Sequence, residues 1–226
     1  MKSSNNNLEE LINKANYFSA QNDYSNAIVC LNQAIELFEV NDNNVVFYFD
    51  NVLWPLSNLH HATKNYDEAL KIENIEYELL LSMDNPDGDF TELSEDSARR
   101  FVKFCLSHGL TYSYLNRPND SRNIFSLGYW ISFHHFGEYN VETLKLAYNL
   151  AGIELMHGDK EEGIRLVEFC YFDMREHLDI ENDYVKRVED FLKRVKNDEP
   201  SQLYEKHIEC RKNAKEALEY FLGTSQ

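Results

Sequence analysis

Apolar residues recur along this chain at helical spacing, in stripes that come in pairs separated by short polar breaks. Leu8, Leu11, Ile12, Ala15 and Phe18 form the first stripe, and Ala27, Ile28, Leu31, Ala34, Ile35 and Phe38 the second, with QND at 21–23 between them. Residues three and four apart share one face of an α-helix, so this spacing predicts two amphipathic helices joined by a turn. A second pair begins around Asn44 and runs through Val52, Leu53, Leu56 and Leu59 to a break at Lys64–Asn65. It resumes with Ala69, Leu70, Ile72, Ile75, Leu79 and Leu80. Pro55 interrupts the first of these helices. Lacking an N–H and clashing one turn back, it predicts either a helix start near Trp54 or a kink there.

Residues 84–96, DNPDGDFTELSED, hold six acids and no base, with Pro86 and Gly88 as breakers, and predict a long loop closed by Ser94 as a helix cap. A third pair follows: Phe101, Val102, Phe104, Cys105, Leu110 and Tyr114, a break at 116–120, then Ile124, Phe125, Leu127, Trp130 and Ile131. The fourth places Leu144, Ala147, Leu150, Ala151 and Leu155 before HGDKEEG at 157–163, and Ile164, Val167, Cys170 and Tyr171 after it. Two further helices, over about 184–197 and 201–222, read as a terminal cap because bases make the first polar over much of its surface.

Two of these breaks echo each other. NDYSNAI at 22–28 matches KNYDEAL at 64–70, with Tyr24 and Tyr66 each followed three residues later by alanine, Ala27 and Ala69. A fixed-period echo of a helix pair predicts a stack of similar units. Only 8 glycines and 4 prolines in 226 residues agree with long helices. The expected fold is all-α: a right-handed α-solenoid of about four helix–turn–helix repeats plus C-terminal capping helices. The boundaries are a polar tail over 1–7, repeats over 8–178 and capping helices of the same domain over 179–226.

These residues resemble a tetratricopeptide repeat (TPR) protein. Ala27, Leu31 and Ala34 occupy the second-helix signature of the first unit, and Ala69 heads that of the second, although Glu73 and Glu76 stand where the family prefers apolar groups. In the first helices, Ala15 and Phe18, Leu56 and Ser57, the trio Leu110, Thr111 and Tyr114, and Leu150 with Ala151 match the large–small–aromatic pattern. Gly163 takes the alanine place in unit four. The repeat spacing exceeds the standard one and is similar to repeats of the kinesin light chain type. The resemblance implies a concave groove lined by the first helix of each pair: Ile12, Asn16 and Ser19; then Asn51, Trp54, Asn58 and His61; then His108, Tyr112 and Asn116; then Lys145, Tyr148 and Met156. Such a surface would bind a peptide or protein partner. The other reading of Trp54, Tyr112 and Tyr148 is that they are core. With Lys145 as its one cation, this groove does not suit capture of an acidic peptide tail.

Charge adds a second indication. The net charge is −17, and residues 1–98 carry 18 acids against 4 bases while 99–226 carry 21 against 18. An acidic half repels phosphate backbones, so nucleic acid is not expected. It either keeps a solvated surface soluble or attracts a basic partner, with Asp84, Asp87 and Asp89 of the loop as the first contacts.

No apolar run is long enough for a membrane span, and MKSSNNNLEE has no secretory apolar stretch, so the expected location is cytoplasmic. The four dispersed cysteines read as buried hydrophobes in a reducing compartment.

Catalytic and metal chemistry is not expected. His60–His61 and His134–His135 are adjacent pairs whose side chains point about 100° apart on a helix, too divergent for one ion. His135 and Glu138 lack a second histidine at zinc spacing. Aligning Gly88 with a calcium-loop glycine puts Met83 and Ser94 where carboxylates are required. No nucleophile elbow or phosphate loop occurs. A non-enzymatic adaptor or chaperone-like module without cofactors is therefore the expected function. The alternative is a dedicated inhibitor, immunity- or antitoxin-like, that neutralises a basic enzyme.

Overall fold

The computed structural model describes residues 2–38, 44–84, 88–196 and positions 200, 203–205, 207–209 and 212. The described residues are helical throughout their regular structure and contain no strand, as the periodicity predicts. They form two compact units, residues 1–137 and 138–226.

In the first unit, α1 (Lys2–Ala20) pairs with α2 (Tyr24–Leu37). Helix α1 therefore starts inside the stretch expected to be a polar tail. A short α3 (Val45–Tyr48) leads into α4 (Trp54–Ala62), which pairs with α5 (Tyr66–Asp84); α6 (Glu95–Tyr114) pairs with α7 (Pro118–Phe136). Neighbouring pairs join through α2 against α4 and α5 against α6. In the second unit α8 (Val141–His157) pairs with α9 (Lys160–His177), against which α10 (Asp183–Lys196) lies. The expected helix over 201–222 falls largely outside the described residues.

The echo seen in the sequence is a repeated backbone turn. Asn22, Lys64 and Asn116 take left-handed φ values of 59°, 58° and 57° at the ends of α1, α4 and α6. In each turn the next residue's N–H reaches back five residues: Asp23 to Phe18 O, Asn65 to His60 O and Arg117 to Tyr112 O, at 2.8–2.9 Å. This Schellman-type closure satisfies helix-end carbonyls and sends the chain back antiparallel. The small residues of the pattern, Ala27 and Ala69, have no exposed surface. They let the paired helices approach. Ser94 caps α6, accepting from Ser97 N at 3.2 Å, and Asp159 caps α9.

Pro55 stands at the start of α4, the first of the two expected readings. Phe49–Leu53 forms a π-helical turn between α3 and α4, closed by Trp54 N–H donating to Phe49 O five residues back. The wider turn gives the proline ring room and puts Pro55 in the first turn of α4, where a missing N–H costs nothing. Val52, Leu53 and Leu56 are fully buried along this segment.

Candidate functional site

The register that buries Leu56 and Leu59 on one face of α4 turns Trp54, Asn58 and His61 toward α6. There they meet Lys103, Leu106, Ser107 and Leu110 around an open cavity of about 310 Å3. Trp54, Leu106 and Leu110 line it with apolar surface, and Asn58, His61, Lys103 and Ser107 bring polar groups to it. Asn58 also borders a smaller cavity of about 210 Å3 that reaches back to Asn16, Ser19 and Tyr24 of the first pair. Asn16, Trp54, Asn58 and His61 thus lie along one continuous stretch of unit 1.

His61 and Ser107 also belong to a buried polar layer beside this lining. Glu73 of α5 has no exposed surface and is surrounded by donors. His108 Nδ1 donates to Oε2 at 3.1 Å, while His61 Nε2 (3.1 Å), Ser107 Oγ (2.8 Å) and Thr111 Oγ1 (3.0 Å) converge on Oε1. Thr111 Oγ1 also lies 2.7 Å from His61 Nε2. Its single proton goes to Glu73, so His61 carries a proton on Nε2 and donates it. Burial alone would raise the Glu73 carboxyl, but the bonds from His108, His61 and Thr111 outweigh it and hold it at about 2. Nucleophile, base and carboxylate of a relay would need both imidazole nitrogens. Here every partner of His61 shares Nε2, and the arrangement ties helices α4, α5 and α6 together.

Glu76, one turn along α5, is equally buried but poorer in partners. Ser57 Oγ lies 3.0 Å from its Oε1, and Oε2 has no hydrogen-bond partner. Burial, then the neighbouring Glu73 carboxylate, push it up to about 8.

Other residues expected in the groove are placed differently. His108 is 3% exposed, drawn inward by Glu73 and stacked on Phe104 at 4.8 Å, so it does not line an open surface. Ile12 is likewise buried. Tyr112 is half-buried between the His108 ring and the Arg117 guanidinium. Asn116 sits in the left-handed turn, and Asn51 donates to Phe47 O at 3.0 Å within the π-helical segment.

In unit 2, Lys145 pairs with Glu142 at 2.8 Å and lies over the Tyr184 ring, while Tyr148 meets the edge of Phe191. Met156 is exposed. Of the loop acids, Asp84 ends α5 and Asp87 lies outside the described residues. Asp89 caps a 3-10 turn by accepting from Thr91 N at 2.9 Å.

The histidine pairs diverge: His60 is buried while its neighbour His61 turns to Glu73, and His135 donates to Phe90 O at 2.8 Å while His134 stacks on Trp130. Among the described residues no group of three or more histidines, cysteines or acids is placed to hold a metal ion. No described helix is long and apolar enough to cross a membrane. Cys30, Cys105 and Cys170 are free and buried, and Cys210 lies outside the described residues.

Nothing in the sequence points to Lys103, Leu106 or Ser107 as site residues, and Leu110 enters there only through the apolar stripe and the repeat pattern. Glu73 and Glu76 were visible there only as acids at apolar positions, which is the signal that marks a buried polar layer.

No protein-family model and no curated protein matches the chain. Among solved structures, the chain is similar to the crystal structure of BtubC (BKLC) from P. vanneervenii, with a TM-score of 0.65 and 13% identity over 98% of this chain and 91% of that one. At this identity the likeness carries the fold: helices in neighbouring pairs, of the helical-repeat kind.

Proposed function

We propose that this chain is a protein-interaction module, an adaptor or chaperone-like helical-repeat protein, and that it holds a peptide or protein partner in the cavity between α4 and α6. The supporting observation is the make-up of that cavity. An apolar lining with a few convergent polar groups is what a side-chain anchor needs, because burial supplies affinity and hydrogen bonds supply orientation. The adjoining polar layer fixes His61 and Ser107, so the lining is preorganised and little ordering entropy is lost on binding. Asn16 and Ser19, reached through Asn58, extend the surface along an elongated ligand. The helical-repeat likeness is consistent with this reading.

The test is to isolate whatever binds the native protein and measure its affinity for Trp54→Ala, Asn58→Ala and Lys103→Ala. Weaker binding with the far-ultraviolet circular dichroism unchanged supports the assignment. Unchanged affinity in all three moves the site elsewhere.

The uneven charge favours a second reading, an inhibitor of a basic enzyme guided by the acidic first half. Electrostatic steering makes association slow sharply with added salt. A salt-independent association rate excludes it.

A further inference from the structure

We propose that Glu76 is held as a neutral carboxylic acid and positions Trp54 and Asn58 at the α4/α6 cavity, so that loss of its proton releases this lining. The inference concerns the cavity proposed above as the binding site, but its test reads Trp54 directly and requires no partner.

Proton counting carries the argument. Ser57 Oγ lies 3.0 Å from Glu76 Oε1 and 3.1 Å from Trp54 O. A hydroxyl has one proton, and two acceptors cannot both receive it. If Glu76 were ionised, Ser57 would serve either the carboxylate or the carbonyl. The carboxylate would have no other donor, since Oε2 has no partner and the residue has no exposed surface. A proton on Oε1 removes the conflict: Glu76 donates to Ser57, and Ser57 donates to Trp54 O.

The groups facing Glu76 reinforce this state. Glu73, on the same helix, is a carboxylate. From α4 comes only the Ser57 hydroxyl, because His61 is committed to Glu73. From α6, His108 is likewise committed to Glu73. Among the described residues the charge that acts on Glu76 is that of Glu73, and burial beside it favours the neutral acid.

The end of this chain of bonds is the Trp54 carbonyl, which also accepts from Asn58 Nδ2 at 2.8 Å. Trp54 begins α4 where the π-helical turn ends, and both Trp54 and Asn58 line the cavity. The proton on Glu76 is therefore two hydrogen bonds from Trp54, a residue of the cavity lining.

The chain has two tryptophans, Trp54 and the exposed Trp130. In a Trp130→Phe background, Trp54 emission and acrylamide quenching are followed from about pH 6 to about pH 9.5, the range that spans release of a raised carboxyl proton. The expected result is a red shift and a rise in quenching with pH, absent when Glu76→Gln is added. No change with pH, or the same change in the Glu76→Gln protein, overturns the proposal. Should Glu76→Gln fail to fold, carbon-13 carboxyl resonances of the otherwise native chain decide at neutral pH. A neutral Glu76 carboxyl supports the proposal and an ionised one overturns it.

Discussion

Glu73 and Glu76 stand one turn apart on α5, both without exposed surface, and their surroundings drive them in opposite directions. Glu73 is met by two imidazoles and two hydroxyls from α4 and α6. Glu76 is met by one hydroxyl that already has a second acceptor. The same residue type thus supplies a fixed charge to one spot and a neutral polar group to the next. This layer joins the second and third helix pairs and supports the cavity beside it.

Stability should depend on pH through both acids, with opposite signs. The Glu76 value is raised from 4.5 to about 8, so its contribution is full below 4.5 and is lost as pH rises toward 8. The Glu73 value is lowered to about 2, so its contribution is present above 4.5 and is lost as pH falls toward 2. Urea midpoints measured across this range should fall on the alkaline side for the native chain and fall less for Glu76→Gln. Equal slopes in the two proteins count against the assignment.

Removing the Glu73 carboxylate should be severe. Glu73→Ala leaves His61, His108, Ser107 and Thr111 without their shared acceptor, and breaking a buried charged cluster costs roughly 3–5 kcal/mol. Glu73→Gln keeps an acceptor and should cost less. Chemical denaturation of both variants measures the difference.

Two glycines should respond oppositely to alanine. A Cβ at Gly163 would stand 2.6 Å from Leu155 Cγ and 2.9 Å from Leu155 N, so α8 and α9 must shift. Overpacking of this kind costs about 1–3 kcal/mol. A Cβ at Gly152, in α8, meets nothing within 4 Å. Gly152→Ala should instead stabilise by up to about 1 kcal/mol through helix propensity. Thermal unfolding of the pair separates close approach from backbone entropy.

Lys64 carries a Cβ in a left-handed turn, with φ of 58°. That conformation costs an L-residue about 1–2 kcal/mol that glycine avoids. Lys64→Gly should raise the urea midpoint. A lower midpoint would mean that the lysine side chain contributes more than its backbone strain costs.

The repeats were legible because their signals are local. Tyr24 with Ala27, and Tyr66 with Ala69, mark turns and close contacts made within a few residues, and the turns at Asn22 and Lys64 follow directly. The buried layer was half legible: Glu73 and Glu76 stood out as acids at apolar positions. The Glu73 partners Ser107, His108 and Thr111 come from another helix beyond the acidic loop, and no spacing announces such a meeting.

The same loop explains the cavity residues on α6. The third turn lies 52 residues after the second, against 42 between the first two. Register therefore could not be carried forward by counting. The expected lining of His108, Tyr112 and Asn116 gives way at the cavity to Lys103, Leu106, Ser107 and Leu110. Pro55 posed a choice between a start and a kink: α4 starts at Trp54, and a π-helical turn that no spacing announces leads into it.

The most direct measurement is affinity isolation from the native host with the wild-type chain and the triple variant Trp54→Ala, Asn58→Ala, Lys103→Ala, both confirmed as folded, followed by titration of the recovered partner. The expected result is a stoichiometric partner bound by the wild type and released by the triple variant. A partner held equally by both, or none recovered by either under several growth conditions, would contradict a binding site between α4 and α6.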